Sequence, residues 1–327
     1  MAPLTADELV KHPEYNHTIW PLEPEKKGKV QVAKDRGGPI DIAYEVHGHG
    51  DRHLVWVMGL GGMMYAWQRQ TKDFGHTKGD QYSSLVFDNR GIGDSSKPRF
   101  RYSTSEMAKD VVELVDHIGW TGKRELHLIG ISMGGMIAQE LAMLIPERIC
   151  TLSLVSTAAG LFRTTGFLEN LWNRANLFIP KSLDTQIAAV KANLYTPLWL
   201  SSPDTLPAVS STPFPTNGDR FAANELWKRQ HPQYFGKPGF ILQAIAAGWH
   251  HKSAQQLQEI AEKGVTGREN WLGVEEEEDV WAEGLVEKHF VKGQGHVLPA
   301  EMREEFMGWQ EGLIERGVRL NAGEEGV

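Results

Sequence analysis

A mostly parallel α/β sheet, covered by helices on both faces and interrupted by an all-helical insertion, is the fold this 327-residue sequence predicts. Three observations carry the prediction. Apolar strand runs alternate with helical patterns between about residues 28 and 158. One of those strands passes through a glycine-flanked turn straight into a helix at 130–134. From about Ala159 the pattern becomes helical only. Strands that alternate with helices after an antiparallel start imply a sheet buried on both faces. The expected division is a core of residues 1–158 and 252–327, with 159–251 as a helical lid insertion.

Residues 1–27 are polar, Pro-dotted and without a clear period, and read as an N-terminal arm. Strands follow at 28–34, 40–47 and 53–58, separated by turn-forming Gly37, Gly38 and Pro39 and then by Gly48 to Asp51. A helix at 65–74 and an apolar strand at 83–88 come next. Ser103 and Glu106 have capping-box spacing, which opens a helix carrying Met107, Val111, Leu114, Val115 and Ile118 on its inner side. Leu126, Leu128 and Ile129 belong to a buried strand, and Met136, Ile137, Leu141, Ala142 and Leu144 recur at helical spacing. A strand at 151–156 completes the run.

Within the insertion, 167–179, 182–195, 221–229 and 240–250 read as helices, and Pro and Ser mark 201–215 as loop. Phe162, Phe167, Leu171, Trp172, Leu177, Phe178 and Trp199 either line an acyl or aromatic pocket or pack helix on helix; composition alone leaves both open. After the insertion no five-residue apolar β-branched run occurs between 252 and 286. A last strand is expected at 287–291 and a last helix at 300–317.

A net charge of −8 and a pI near 5.9 argue against nucleic acid or an anionic membrane surface as partner. The single cysteine, Cys150, excludes an internal disulfide and suits a reducing compartment. No signal peptide and no membrane span are visible, so a soluble cytoplasmic protein is expected. Nothing in the pattern calls for a cofactor or a metal.

Gly130, Ser132 and Gly134 fit the G-x-S-x-G turn, in which a serine sits at the tip of a strained strand-to-helix bend. The glycines let neighbouring backbones approach, and the helix N-terminus favours negative charge on the attacked substrate. A Gly/Ser-rich turn without chemistry is the alternative. As nucleophile, Ser132 needs a base, and His296 is the candidate: it follows the last expected strand on a loop beside Gly295. His117, His127, His250 and His251 lie on helices or strands and read as structural or solvated. Oxyanion donors are expected at the N–H of Met133, directly after the serine, and of Leu60 in the loop Met58 to Gly62. That loop has no following Lys-Ser/Thr pair, so its spacing fails the phosphate-binding fingerprints.

Taken together, the loop 58–62, the segment 87–95, the turn 130–135 and the segment 293–296 resemble the α/β-hydrolase superfamily of serine hydrolases. The chain is similar in particular to fungal members with a helical lid. The resemblance implies an α/β-hydrolase fold and a small apolar substrate bearing an ester, thioester or activated carbonyl. It also implies that Asp88, Arg90 and Asp94 brace the floor of the site. Epoxide hydrolases and haloalkane dehalogenases of this fold need an aspartate where Ser132 stands.

One piece of the family pattern does not appear. The catalytic acid normally follows the penultimate strand in an apolar strand–His-Gly-x-x-Asp segment, and here that strand reads as missing or degenerate. Asp279 is the sole aspartate between the insertion and His296, and it stands in the acidic run Glu275 to Asp279, a pattern typical of a solvated face. The end of the preceding strand offers Ser156 and Thr157, neither of which carries charge. Two functions follow as expectations. One is a hydrolase using Ser132 and His296, with Asp279 as the candidate acid. The other is a catalytically impaired hydrolase-fold protein that binds a ligand or reflects an altered gene model.

Overall fold

The strands are β1 (Lys26–Val32), β2 (Ile40–His47), β3 (Arg52–Val57), β4 (Tyr82–Phe87), β5 (Leu126–Ile131), β6 (Ile149–Val155), β7 (Asn270–Leu272) and β8 (Val286–Glu287). The computed structural model describes residues 3–160, 182–210, 212–266, 270–272, 286–287, 289 and 291–323. Its helices are α1 (Ala6–Lys11), α2 (Thr104–Ile118), α3 (Met133–Leu144), α4 (Leu183–Leu194) and α5 (Pro197–Ser201). They continue with α6 (Asn217–Gln230), α7 (Lys237–Gly248), α8 (Ala254–Thr266), α9 (Leu298–Glu301) and α10 (Arg303–Asn321). The expected helix at 65–74 is an irregular run of 3₁₀, α and π turns over 64–77.

One sheet takes the order β1-β2-β4-β3-β5-β6-β7-β8. The pairs β1/β2 and β2/β4 are antiparallel, and every other pair is parallel. Strands β4, β5 and β6 are buried along their whole length, as a sheet covered on both faces requires. The pleat sends alternate residues of β3 to opposite faces. Val55 and Val57 join Leu128, Val111, Leu114, Ile137 and Leu141 in a core with α2 and α3. Trp56 packs instead against Trp67 and Phe74, at ring-centroid distances of 5.0 and 5.6 Å. Two polar pairs involve the buried strands: His127 Nδ1 is 2.9 Å from Thr151 Oγ1, and Gln310 Nε2 donates to Ser153 Oγ at 3.0 Å. The edge strand β1 carries exposed Lys26, Lys27 and Lys29, a charge pattern that discourages pairing with another chain.

A buried ionic brace ties the loop after β4 to α2. Arg90 donates to both oxygens of Asp110 at 2.6 Å, and Arg36, from the β1–β2 turn, reaches Asp110 at 3.0 Å. Arg36 also pairs with Glu106 and Glu113 on the same helix.

The penultimate strand is degenerate, not missing. β7 has three residues, pairs in parallel with Thr151 to Ser153 of β6, and is followed in the sheet by β8. No run of five apolar residues announced it, because a three-residue strand held by its neighbours needs no such run. The last strand spans Val286–Glu287 where 287–291 was expected. Residues 273–285, with the acidic run, lie outside the described residues, as does the helix expected at 167–179.

By contact, the chain divides into two compact units. The sheet unit takes the described residues of 21–160, 233–291 and 298–327, and the helical unit those of 1–20, 161–232 and 292–297. Residues 3–20 are thus part of the helical unit, not a loose arm. Thr5 and Glu8 form a reciprocal capping box on α1, Leu4 N–H donates to Asp219 Oδ1 at 3.0 Å, and Tyr15 OH donates to Gln230 at 2.8 Å. Leu9, Tyr15, Ile187, Phe214, Ala223 and Leu226 make this unit's core. Conversely α7, expected within the lid, belongs to the sheet unit. Among the described residues no helix is long and apolar enough to cross a membrane.

Asp110→Ala leaves the Arg90 guanidinium buried without its carboxylate. Urea denaturation should show a loss of about 3–5 kcal/mol, the cost of breaking a buried pair; a loss below about 1 kcal/mol would mean the brace is not what holds the loop after β4.

Candidate active site

Ser132 links β5 to α3 with φ 56° and ψ −124°, a conformation that only strong surroundings impose on a residue with a side chain. Those surroundings are in place. Its N–H donates to Val155 C=O at 2.9 Å, and its own C=O accepts from Thr157 Oγ1 at 2.7 Å and from Gly135 N–H at 2.9 Å. The glycines are there for contact. A Cβ on Gly134 would come within 2.1 Å of Val57 C=O, and one on Gly135 within 2.6 Å of the Thr157 side chain. β3, β6 and α3 therefore crowd the bend, and the half-buried serine is held at its tip.

The loop after β3 runs past this serine. A Cβ on Gly59 would stand 3.0 Å from Ser132 Cβ and 3.6 Å from its Oγ. Leu60 follows, 37% exposed, and Gly62 N–H closes a turn on Gly59 C=O at 3.2 Å. Met133 is the first residue of α3, so its N–H belongs to the orphan donors of a helix N-terminus. Among the described residues neither Leu60 N–H nor Met133 N–H donates a hydrogen bond.

The neighbouring loop after β4 supports this arrangement. Asp88 is buried and accepts from Met64 N–H and Asp94 N–H, both at 2.8 Å. Asn89 Nδ2 donates to Met58 C=O at 3.0 Å. Burial pushes the Asp88 carboxyl up to about 6, against the two N–H donors that favour its ionised form. Gln243 of α7 accepts from Gly61 N–H at 2.9 Å and donates to Arg90 C=O at 2.9 Å. The bracing role expected of Asp88 and Arg90 matches these contacts. Gln243 had no motif to announce it; its one signal was a lone amide in the apolar run Phe240 to Ala247.

Ser132, Met133 and Leu60 thus come together in the sheet unit. His296 belongs to the helical unit, half-buried in a segment where Gly293 has φ +78° and Val297 N–H donates to Leu194 C=O at 3.2 Å. Asp279 lies outside the described residues, as do Phe162, Phe167, Leu171, Trp172, Leu177 and Phe178. Of the histidines read as structural, His127 is buried in the sheet, and burial pushes it down to about 3. His250 lies 2.9 Å from Thr104 Oγ1. Among the described residues no three His, Cys, Asp or Glu side chains are grouped to hold a metal ion.

The profile of a family described by its alpha/beta hydrolase fold matches residues 52–309. A protein of Azorhizobium caulinodans named "Putative carbamate hydrolase RutD" is 30% identical over 166 residues, covering 50% of this chain and 58% of that protein. The 3-oxoadipate enol-lactonase 2 of Acinetobacter baylyi is 34% identical over 121 residues, covering 37% of this chain and 43% of the enzyme. The chain therefore spans about half the length of the relatives it matches. Among solved structures, a thermophilic esterase from Thermogutta terrifontis superposes with a TM-score of 0.64 at 19% identity, over 89% of this chain and 99% of the esterase. At that identity the likeness is one of fold.

The raised Asp88 carboxyl makes a pH prediction. A native-state value above the unfolded one gives a contribution that is complete below about pH 4 and lost as pH rises through about 6. Asp88→Asn does not titrate. The stability of wild type minus that of Asp88→Asn should therefore fall by up to about 3 kcal/mol between pH 4 and 7. A flat difference in urea titrations would show that the two N–H donors offset burial.

Proposed function

Because the chain belongs to the alpha/beta hydrolase fold family, we propose that it is a serine hydrolase acting on an ester, thioester or activated carbonyl of a small apolar substrate. One observation carries this reading: Ser132 is forced to φ 56° at a strand-to-helix bend, with the Gly59 loop against its side chain. Such a bend costs about 1–3 kcal/mol, and strained residues of this kind cluster at active sites. The name of the Acinetobacter enol-lactonase points to the same bond class.

In the proposed reaction Ser132 Oγ attacks the carbonyl carbon while His296 takes its proton. The carbonyl electrons move to oxygen, and that oxyanion accepts hydrogen bonds from Leu60 N–H and Met133 N–H. Collapse expels the alcohol or thiol, which takes the proton back from His296 and leaves an acyl group on Ser132. Water, deprotonated by His296, then attacks the acyl carbon, and a second collapse frees the acid while Ser132 Oγ takes the proton back from His296. Asp279 is the candidate acid that would hold the imidazole in the right tautomer. The insertion at 159–251 is proposed as the lid.

A second reading, an impaired hydrolase-fold protein that binds a ligand, draws on the three-residue β7 and the short interval between Lys263 and His296, residues 264–295. Without a carboxylate on the far ring nitrogen, turnover in a serine triad falls by about 10⁴.

Two measurements test these readings. A fluorophosphonate probe should label Ser132, located by mass spectrometry, and Ser132→Ala should abolish turnover of p-nitrophenyl esters of graded chain length. An adduct elsewhere, or none in folded protein, would sink the first reading. Asp279→Asn then separates the two: a fall of about several hundredfold with folding intact identifies Asp279 as the acid, and an unchanged low rate supports the impaired scaffold.

A further inference from the structure

The oxyanion loop is a four-residue turn, and one side chain outside it holds the peptide that would have to move if the turn changed shape. Gly62 N–H bonds to Gly59 C=O, and Gly61, the third residue, has φ +67°. A positive φ at that place is what a type II turn demands, and it is why glycine stands there. A type II turn differs from type I by rotation of its central peptide, here Leu60–Gly61. The N–H of that peptide donates to Gln243 Oε1 at 2.9 Å.

Gln243 is itself anchored. It is fully buried, and its Nε2 donates to Arg90 C=O at 2.9 Å. Arg90 in turn is locked to Asp110 by two bonds of 2.6 Å. Phe240, one turn earlier on α7, lies against Gly61, where an added Cβ would come within 2.8 Å of its ring. At Gly239 the helix presses on the loop after β4, since a Cβ there would stand 1.9 Å from Gly91 C=O. One face of α7 therefore clamps the oxyanion turn onto the buried ionic brace. Both ends of the Gln243 amide are used, so losing the side chain orphans a buried donor and a buried acceptor together.

Resting on the serine-hydrolase reading, we propose that Gln243 is a positioning residue for the oxyanion hole: it fixes the Leu60–Gly61 peptide on the carboxyl side of Leu60 and so holds in place the turn whose preceding peptide, Gly59–Leu60, carries the Leu60 N–H. An oxyanion donor must be aimed before charge develops, so turning it away costs turnover while leaving ground-state binding alone.

The test uses the full chain and two ligands. For Q243M, which keeps the bulk and loses both bonds, kcat on p-nitrophenyl butyrate should fall about 10- to 100-fold with KM within about threefold. The inhibition constant of a trifluoromethyl ketone, whose adduct places an oxyanion in the hole, should rise by a matching factor. Q243N, too short to reach both partners, is read the same way if Q243M does not fold. Q243E keeps an acceptor for Gly61 N–H, and its inhibition constant should stay within about threefold of wild type. A purely structural role would lower the melting temperature and leave kcat and the ketone affinity unmoved, which would overturn the proposal. So would an inhibition constant for Q243E as weak as that of Q243M. If wild type neither turns over the ester nor labels at Ser132, the serine-hydrolase reading fails instead, a separate result from an active wild type indifferent to Gln243.

Discussion

The left-handed backbone at Ser132 is tolerable because its neighbours leave it no cheaper conformation. Its N–H is spent on β6 and its carbonyl on Thr157 and the first turn of α3. Relaxing the bend would break these bonds and move α3 off β3, which Gly134 lets approach to contact distance. The strain is therefore balanced by the parallel sheet itself. That is why β5 and β6 are buried throughout, and why Gly130, Gly134 and Gly135 cluster around one serine.

Around that bend the loops at the carboxyl ends of the strands are held by polar groups that water does not reach. Asp88 joins the loop after β4 to Met64, Asn89 joins it to Met58, and Arg90 pins it to α2 through Asp110. Gln243 adds α7 to the same set. Buried polar networks are costly when half satisfied and rigid when complete. Here they give loops the fixed shape that a preorganised site needs, in the part of an open α/β sheet where ligands bind.

How far the sequence could be read depended on how local each signal was. Ser103 with Glu106 announced the start of α2, and a cap and its helix lie within four residues of each other. The turn at 130–134 was legible for the same reason: strand, glycines and helix are contiguous. Thr5 and Glu8 carry the capping-box spacing too, and it opens α1 within the segment expected to be an N-terminal arm. By contrast β7 exists because β6 offers it a ladder, and its three residues have no period of their own. Gln243 is a lone amide in an apolar run, and its partners Gly61 and Arg90 lie more than 150 positions away.

By itself, then, the sequence determined the α/β class and the place of the strand-to-helix turn at Ser132, since each rests on residues adjacent along the chain and on backbone geometry that glycine and serine set locally. Tertiary structure alone decided that residues 3–20 pack with the helical unit, that α7 belongs to the sheet unit, and that the penultimate strand survives as three residues. These outcomes depend on which buried donors meet which acceptors across the fold. Such pairings are chosen by the cost of leaving a group unsatisfied, a quantity that no stretch of sequence carries before the chain has folded.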